Sequence, residues 1–255
     1  MTTVRQGQPL STDPERRLDP YVPRVLLRHL AEAPDERVRT VDASMVFADI
    51  SGFTALSERL ARRGREGAEE LAEAIGGTLS TLLTVAYENG GSLLKLPGDA
   101  LVLLFERDGH AARACGAAVG MRATLRRVGR VTAGPASVTL RMSQGIHSGR
   151  FHLVLVGESH REQLIVGAAA STVARMEKAA SAGQILISAD TAAQIPRRCV
   201  GAQKGPGLLL QRSRLRSRSM SRRFAAPRSS WSPLACRRWF APTWSPASSP
   251  RSTAT

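Results

Sequence analysis

The segment Val46-Phe47-Ala48-Asp49-Ile50-Ser51-Gly52-Phe53-Thr54 constrains this chain more than any other. Its apolar start reads as a buried strand, its carboxylate falls at the strand's end, and the Ser51-Gly52 turn leads straight into a helix. A hard carboxylate oxygen suits Mg²⁺, and the free N–H groups that open a helix favour an anion. Fifty residues further on, Lys95-Leu96-Pro97-Gly98-Asp99 occupies the turn between two more apolar runs, Ser92 to Leu96 and Ala100 to Phe105. Two acids on strand ends of one domain match what a two-metal phosphoryl-transfer site needs. The plainer alternative stays open at this stage: Asp49 as a helix cap and Asp99 as a β-turn residue.

The spacing around these turns predicts the remaining elements. Val22, Val25, Leu26 and Leu30 give a short helix ending before Pro34, and Ala43 to Ile50 forms the first strand. Leu56 and Leu60 share a helix face up to Gly64, and a longer helix carries Leu71, Ile75, Leu79, Leu82, Leu83 and Ala86 to the Asn89-Gly90-Gly91 stop. An alanine-rich helix is expected over 111–125. Strands follow at 137–146, 151–156, 163–166 and 184–188, with a helix over 169–180 before the last. Strand, helices, hairpin, helix, strand is the order of an α+β fold with a ferredoxin-like βαββαβ core.

Composition splits the chain. The net charge is +15, yet no Asp or Glu follows Asp190, and thirteen of the 36 Lys and Arg lie after residue 196. All three tryptophans, Trp231, Trp239 and Trp244, lie there too. The reading is therefore a lead-in over 1–41, a folded domain over 42–196 and a basic, disordered tail over 197–255. The run Arg212-Ser213-Arg214-Leu215-Arg216-Ser217-Arg218 gives the tail a route to nucleic acid or another polyanion. Arg/Ser-rich sequence without acids is equally what a GC-rich reading frame yields when shifted. Cys115, Cys199 and Cys236 have neither metal spacing nor a disulfide framework. With no apolar leader and no run of eighteen apolar residues, the chain is expected to be cytoplasmic, without a membrane partner.

The two carboxylate motifs resemble those of the class III nucleotide cyclases, and the likeness continues along the chain. Arg141-Met142-Ser143-Gln144-Gly145-Ile146-His147-Ser148-Gly149-Arg150 is similar to the family's central strand and turn. Gly167 to Arg175-Met176-Glu177 is similar to its nucleotide-contacting helix, and Ala182-Gly183-Gln184-Ile185-Leu186-Ile187-Ser188 to its closing strand. The resemblance implies conversion of ATP or GTP to the 3′,5′-cyclic nucleotide and pyrophosphate at a dimer interface. Two Mg²⁺ or Mn²⁺ ions would be held by Asp49, Asp99 and the Ile50 carbonyl, with the amides of Gly52, Phe53 and Thr54 on the phosphates. Arg150 would bind triphosphate, for which a guanidinium fork is suited; its plainer reading is a solvated arginine at a strand start. His147, with no second ligand at metal spacing, reads as structural.

The family's second half-site, a purine-reading Lys–acid pair and a transition-state Asn–Arg pair, is only partly represented. Lys95 and Arg175 match, whereas the acid falls on Leu164 and the Asn on Ser171. Leaving the adenine amino group without an acceptor costs about 1–3 kcal/mol. The pattern resembles the metal-donating half of a cyclase pair, working as a homodimer or with a complementary cyclase domain. A catalytically inactive regulatory or nucleotide-sensing domain remains the alternative. A diguanylate-cyclase-like site is excluded, because Pro97-Gly98-Asp99-Ala100-Leu101 does not match the Gly-Gly-acid-acid-Phe signature of that class.

Overall fold

The computed structural model describes residues 22–133, 136–158 and 161–211. Residues 1–21 of the expected lead-in and residues 212–255 of the expected tail, the Arg212 to Arg218 run included, lie outside the described residues.

Helix α1 (Arg24–Glu32) precedes the long strand β1 (Val38–Ser51), which runs into α2 (Phe53–Ala61) and α3 (Gly64–Glu88). The hairpin β2 (Ser92–Lys95) and β3 (Ala100–Glu106) leads to α4 (His110–Val128). After a small ribbon, β4 (Arg130–Ala133) with β5 (Ala136–Thr139), comes β6 (Arg141–Val156), then β7 (Glu162–Val166), α5 (Ala168–Ala179) and β8 (Ile185–Ile187). A short α6 (Ala189–Ala193) and the hairpin β9 (Val200–Lys204), β10 (Gly207–Leu210) finish it. The sheet order is β2-β3-β1-β6-β8-β10-β9, with β7 also against β6; β6–β8 is the parallel pair. Its first four strands have the βαββαβ order expected.

Both faces of the sheet are covered, so the middle of β1, Ala43 to Val46, is buried on both sides rather than alternating. One face carries Val46, Ala48 and Ile50 against Leu56, Leu82 and Met121 of α2, α3 and α4. The other carries Val41, Ala43 and Met45 with Phe151, against Val25 of α1 and Val173 of α5. No helix of the described residues is long and apolar enough to cross a membrane.

Three expectations are corrected. The segment read as two strands, 137–146 and 151–156, with a turn between is one unbroken strand there, paired to β1 from Arg141↔Ser51 to Val154↔Val38. Gly145 marks a close approach rather than a bend. A Cβ on Gly145 would stand 2.2 Å from the Glu177 backbone N, so α5 lies directly on the strand there. The expected strand start at 137 belongs instead to β5, in the separate β4–β5 ribbon. The sheet also continues past residue 196: β10 pairs Leu208 with Ile187 of β8, and β9 pairs with β10. Residues 197–211 are therefore sheet edge rather than tail, held by burial of Cys199 and Leu210.

Candidate active site at the strand ends

Asp49 stands opposite Ala100 of β3 and Ser143 of β6, and Asp99 is the residue just before Ala100. The two carboxylates therefore meet at neighbouring strand ends. Gly98 takes a positive φ of 65° in the turn that presents Asp99, closed by the Ala100 N–H donating to the Pro97 carbonyl at 3.2 Å. Burial first, and the charge of Asp99 second, hold Asp49's carboxyl above the usual carboxylate range. Among the described residues neither acid has an ion-pair partner.

Gly52 enters α2 at φ 106°, and a Cβ there would press within 3.3 Å of the Thr139 carbonyl. Only glycine makes this turn. Helical bonding begins with the Leu56 N–H on the Gly52 carbonyl, which leaves the amides of Phe53 and Thr54 in the free first turn. Phe53 is buried and pins the turn to the core, while Thr54 is exposed. Ile50 sends its side chain into the core, so only its backbone could serve a ligand.

A third acid joins this end. Glu177 of α5 accepts a hydrogen bond from Ser143 Oγ at 2.8 Å, and Ser143 is the strand partner of Asp49. Burial raises its carboxyl first, the Ser143 bond opposes this, and the Asp49 charge adds to it. Sequence reasoning quoted the Arg-Met-Glu triplet without giving Glu177 a role. Only the docking of α5 on Gly145 puts it here.

The other expected residues form separate groups. Lys95 at the end of β2 is ion-paired with Glu162 of β7. That contact shows how strongly the sheet curls, since β2 and β7 lie on opposite sides of the β3–β1–β6 layer. Leu164 is half-buried two residues along from Glu162 and faces the same way. Ser171 and Arg175 are one turn apart on α5 and both exposed; Arg175 donates to Thr172 Oγ1 at 3.0 Å. Arg150 pairs in register with Asp42. It lies seven residues along β6 from Ser143, roughly 23 Å of strand, and its alternation places it on the opposite sheet face. Within one chain it does not join Asp49.

The donor set fits a hard divalent cation. Two carboxylates supply oxygen, and the rest of the shell is left to backbone, water or phosphate, as Mg²⁺ prefers. Among the described residues no group of three or more acid, His or Cys side chains is placed to hold a metal ion, so Glu177 does not complete an all-protein cage with the two Asp.

A family model described as the adenylate and guanylate cyclase catalytic domain matches residues 36–203. Adenylate cyclase type 10 of Mus musculus is 28% identical over 156 residues, 59% of this chain and 10% of that protein. The Homo sapiens protein of the same name is 27% identical over 152 residues, 58% of this chain and 9% of that one. The chain thus spans about a tenth of the length of these curated relatives. Among solved structures, the adenylyl cyclase CyaB from P. aeruginosa superposes with a TM-score of 0.57 at 22% identity, covering 70% of this chain and 98% of that one. The guanylate cyclase domain of RhGC from Catenaria anguillulae in complex with GTP gives 0.53 at 22% identity, over 67% of this chain and 94% of that one.

Proposed function

Because the chain belongs to the adenylate and guanylate cyclase catalytic domain family, we propose that it cyclises a purine nucleoside triphosphate, ATP or GTP, at a site centred on Asp49 and Asp99. The observation that carries this reading is a pair of uncompensated carboxylates on adjacent strand ends beside the left-handed Gly52 entry to α2. Asp49, Asp99 and the Ile50 carbonyl would hold Mg²⁺ or Mn²⁺. Such ions supply positive charge to the reacting oxygens and the leaving pyrophosphate. The amides of Gly52, Phe53 and Thr54 seat the phosphates. Glu177, tethered by Ser143, adds negative potential that deepens the cation well. The ribose 3′-oxygen attacks the α-phosphorus, the bond to pyrophosphate breaks, and the hydroxyl proton leaves to solvent.

Lys95, Ser171 and Arg175 stand apart from this cluster, which supports their serving the site of a second cyclase domain across a dimer interface. Glu162 sharpens that side. It holds Lys95 from a position on the same face of β7 as Leu164, so an acid accompanies the lysine although the matched position is apolar. We place the protein in the cytoplasm, where its buried free thiols Cys115 and Cys199 stay reduced.

Leu164 and Ser171 favour a second reading, a regulatory domain that binds nucleotide without turnover. Assaying the full chain with Mn²⁺ and ATP or GTP, alone and mixed with an intact complementary cyclase domain, separates the two. Cyclic nucleotide formed in the mixture and lost with Asp49→Asn supports the enzyme. Binding without product in every mixture supports the regulator.

A further inference from the structure

A line of six side chains runs through the domain, unused by the site above. His110 Nδ1 lies 2.8 Å from Ser44 Oγ, which lies 2.6 Å from Ser148 Oγ. Ser148 Oγ and Thr191 Oγ1 are 3.0 Å apart, Thr191 Oγ1 and Ser188 Oγ 3.2 Å, and Ser188 Oγ and His147 Nδ1 2.8 Å. The four hydroxyl residues are all 4% exposed or less. Sheet topology makes room for them. β8 occupies the β6 edge along Gln144 to Ile146, and β7 along His152 to Val156. Between these registers the first turn of α6 comes up against Ser148, while Ser44 faces Ser148 directly across β1–β6.

The proton count of this line is restrictive. Five links join the six groups, and each link needs one hydrogen. Each of the four hydroxyls supplies one. The fifth must come from a single histidine, so one imidazole donates through Nδ1 while the other accepts. Protons on both Nδ1 atoms would set two hydrogens against each other in a buried link; protons on neither would leave one link empty, and either defect is costly in a dry interior.

We propose that this line is a proton latch, in which a proton on the inward nitrogen of one histidine excludes a proton on the inward nitrogen of the other, so that half-exposed His110 governs the protonation of His147 beside Arg175. Reversal moves no heavy atom: the four hydroxyls each turn, the His110 proton passes from Nδ1 to Nε2 by exchange with solvent, and the His147 proton passes from Nε2 to Nδ1 in the same way. The charged groups around His147 are Asp190 of α6, 3.6 Å from Nδ1, and Arg175 of α5; β1 offers only Met45 opposite. Around His110 stand Asp42 of β1, Asp108 before the helix and Arg113 on α4. Burial pushes both imidazoles below their ordinary range, in line with an interior that resists a second charge. A charged His147 would repel Arg175 and draw on Asp190. His147 is thus a positioning residue for Arg175, and this consequence for turnover rests on the cyclase reading; the proton coupling does not.

Imidazole ¹⁵N NMR of the full chain across the acid range tests the latch. At neutral pH one histidine should show a protonated Nδ1 and the other a protonated Nε2. His110→Phe, at the half-exposed end, removes the competitor, so the His147 midpoint should rise by about one unit. Ser148→Ala should uncouple the two, making His147 insensitive to the residue at 110. The acid limb of the kcat profile should follow the His147 midpoint in each variant. An unchanged His147 titration in His110→Phe, or identical Nδ1-protonated tautomers at both positions, overturns the latch. Coupled titrations in a chain that makes no cyclic nucleotide would uphold the latch and count against the cyclase reading alone.

Discussion

The β1–β6 pair has two ends that treat charge in opposite ways. At one end Asp49, Asp99 and Glu177 gather with no basic side chain in an ion pair with any of them, among the described residues, and two of the three carboxyls are pushed upward. At the other, Glu106, whose side chain is 9% exposed, sits between Arg28 at 2.6 Å and Arg39 at 3.4 Å, and Arg39 also reaches Glu32 at 3.8 Å. The second arrangement ties α1, β1 and β3 together and needs nothing from outside. The first is held against its own repulsion, which persists in a folded protein only where a cation or a function offsets it. Matched charge here ties scaffold together, and the unmatched end is the one proposed for chemistry.

The largest test of this contrast is at the unmatched end. Asp49→Asn should lower Mn²⁺-dependent nucleotide affinity or turnover by roughly a hundredfold or more, since a polarising cation is worth several kcal/mol. Melting temperature should hold or rise. Calorimetry showing unchanged Mn²⁺–ATP affinity would remove the metal site from this end altogether.

At the matched end the signs reverse. Glu106→Ala leaves Arg28 and Arg39 facing each other, partly screened by solvent, and should destabilise the fold by about 2–3 kcal/mol, below the usual range for a fully buried pair. Denaturant unfolding measures this, and activity per folded molecule should stay unchanged. A loss of nucleotide affinity greater than the loss of stability would mean that this end too takes part in function.

A smaller effect separates the ends by pH. Asp49 and Glu177 bind protons more tightly folded than unfolded. Stability of the metal-free protein should therefore fall as pH rises from the ordinary carboxylate range through their raised values, and remain lower above them. Saturating Mn²⁺ should flatten the slope, as should Asp49→Asn. Thermal melts from about pH 4 to 7 that slope the other way would show the acids to be compensated after all.

The smallest expected effect is at the exposed Lys95–Glu162 pair, whose side chains are 42% and 50% exposed. Glu162→Gln should change stability by less than about 1 kcal/mol, yet alter the preference between ATP and GTP. Competition binding with the two nucleotides reads this, and an unchanged ratio would leave Glu162 as ordinary surface.

Much of this was legible in the sequence because the signals were local. Asp49 and Asp99 each follow or precede an apolar strand at a glycine turn, and the spacing of Leu71 to Ala86 gives α3 directly. What was lost depended on contacts between distant segments. The Ile146 to Arg150 stretch read as strand end and turn, because sequence does not distinguish a glycine that bends the chain from one, such as Gly149, that simply continues a strand; that α5 lies on Gly145 was equally hidden. The Gly207 to Leu210 strand was submerged in a basic, acid-free composition, and only its pairing with β8 shows its place. Glu177 and Glu162 gained meaning from the docking of α5 and the curl of the sheet. Arg150 shows the reverse case: a motif position was clear, but its distance from Asp49 depended on β6 being a single strand.

The unbroken ladder between Val38–Ser51 and Arg141–Val154 also acts as a ruler. A slip by one residue would turn Asp49 to the wrong face, and a slip by two would carry it about 7 Å from Ser143. Neither is a small adjustment. Control from elsewhere in the molecule therefore cannot stretch or trim the spacing between the carboxylates and the strand beneath α5; it must swing whole blocks as rigid pieces, or change which protons they carry.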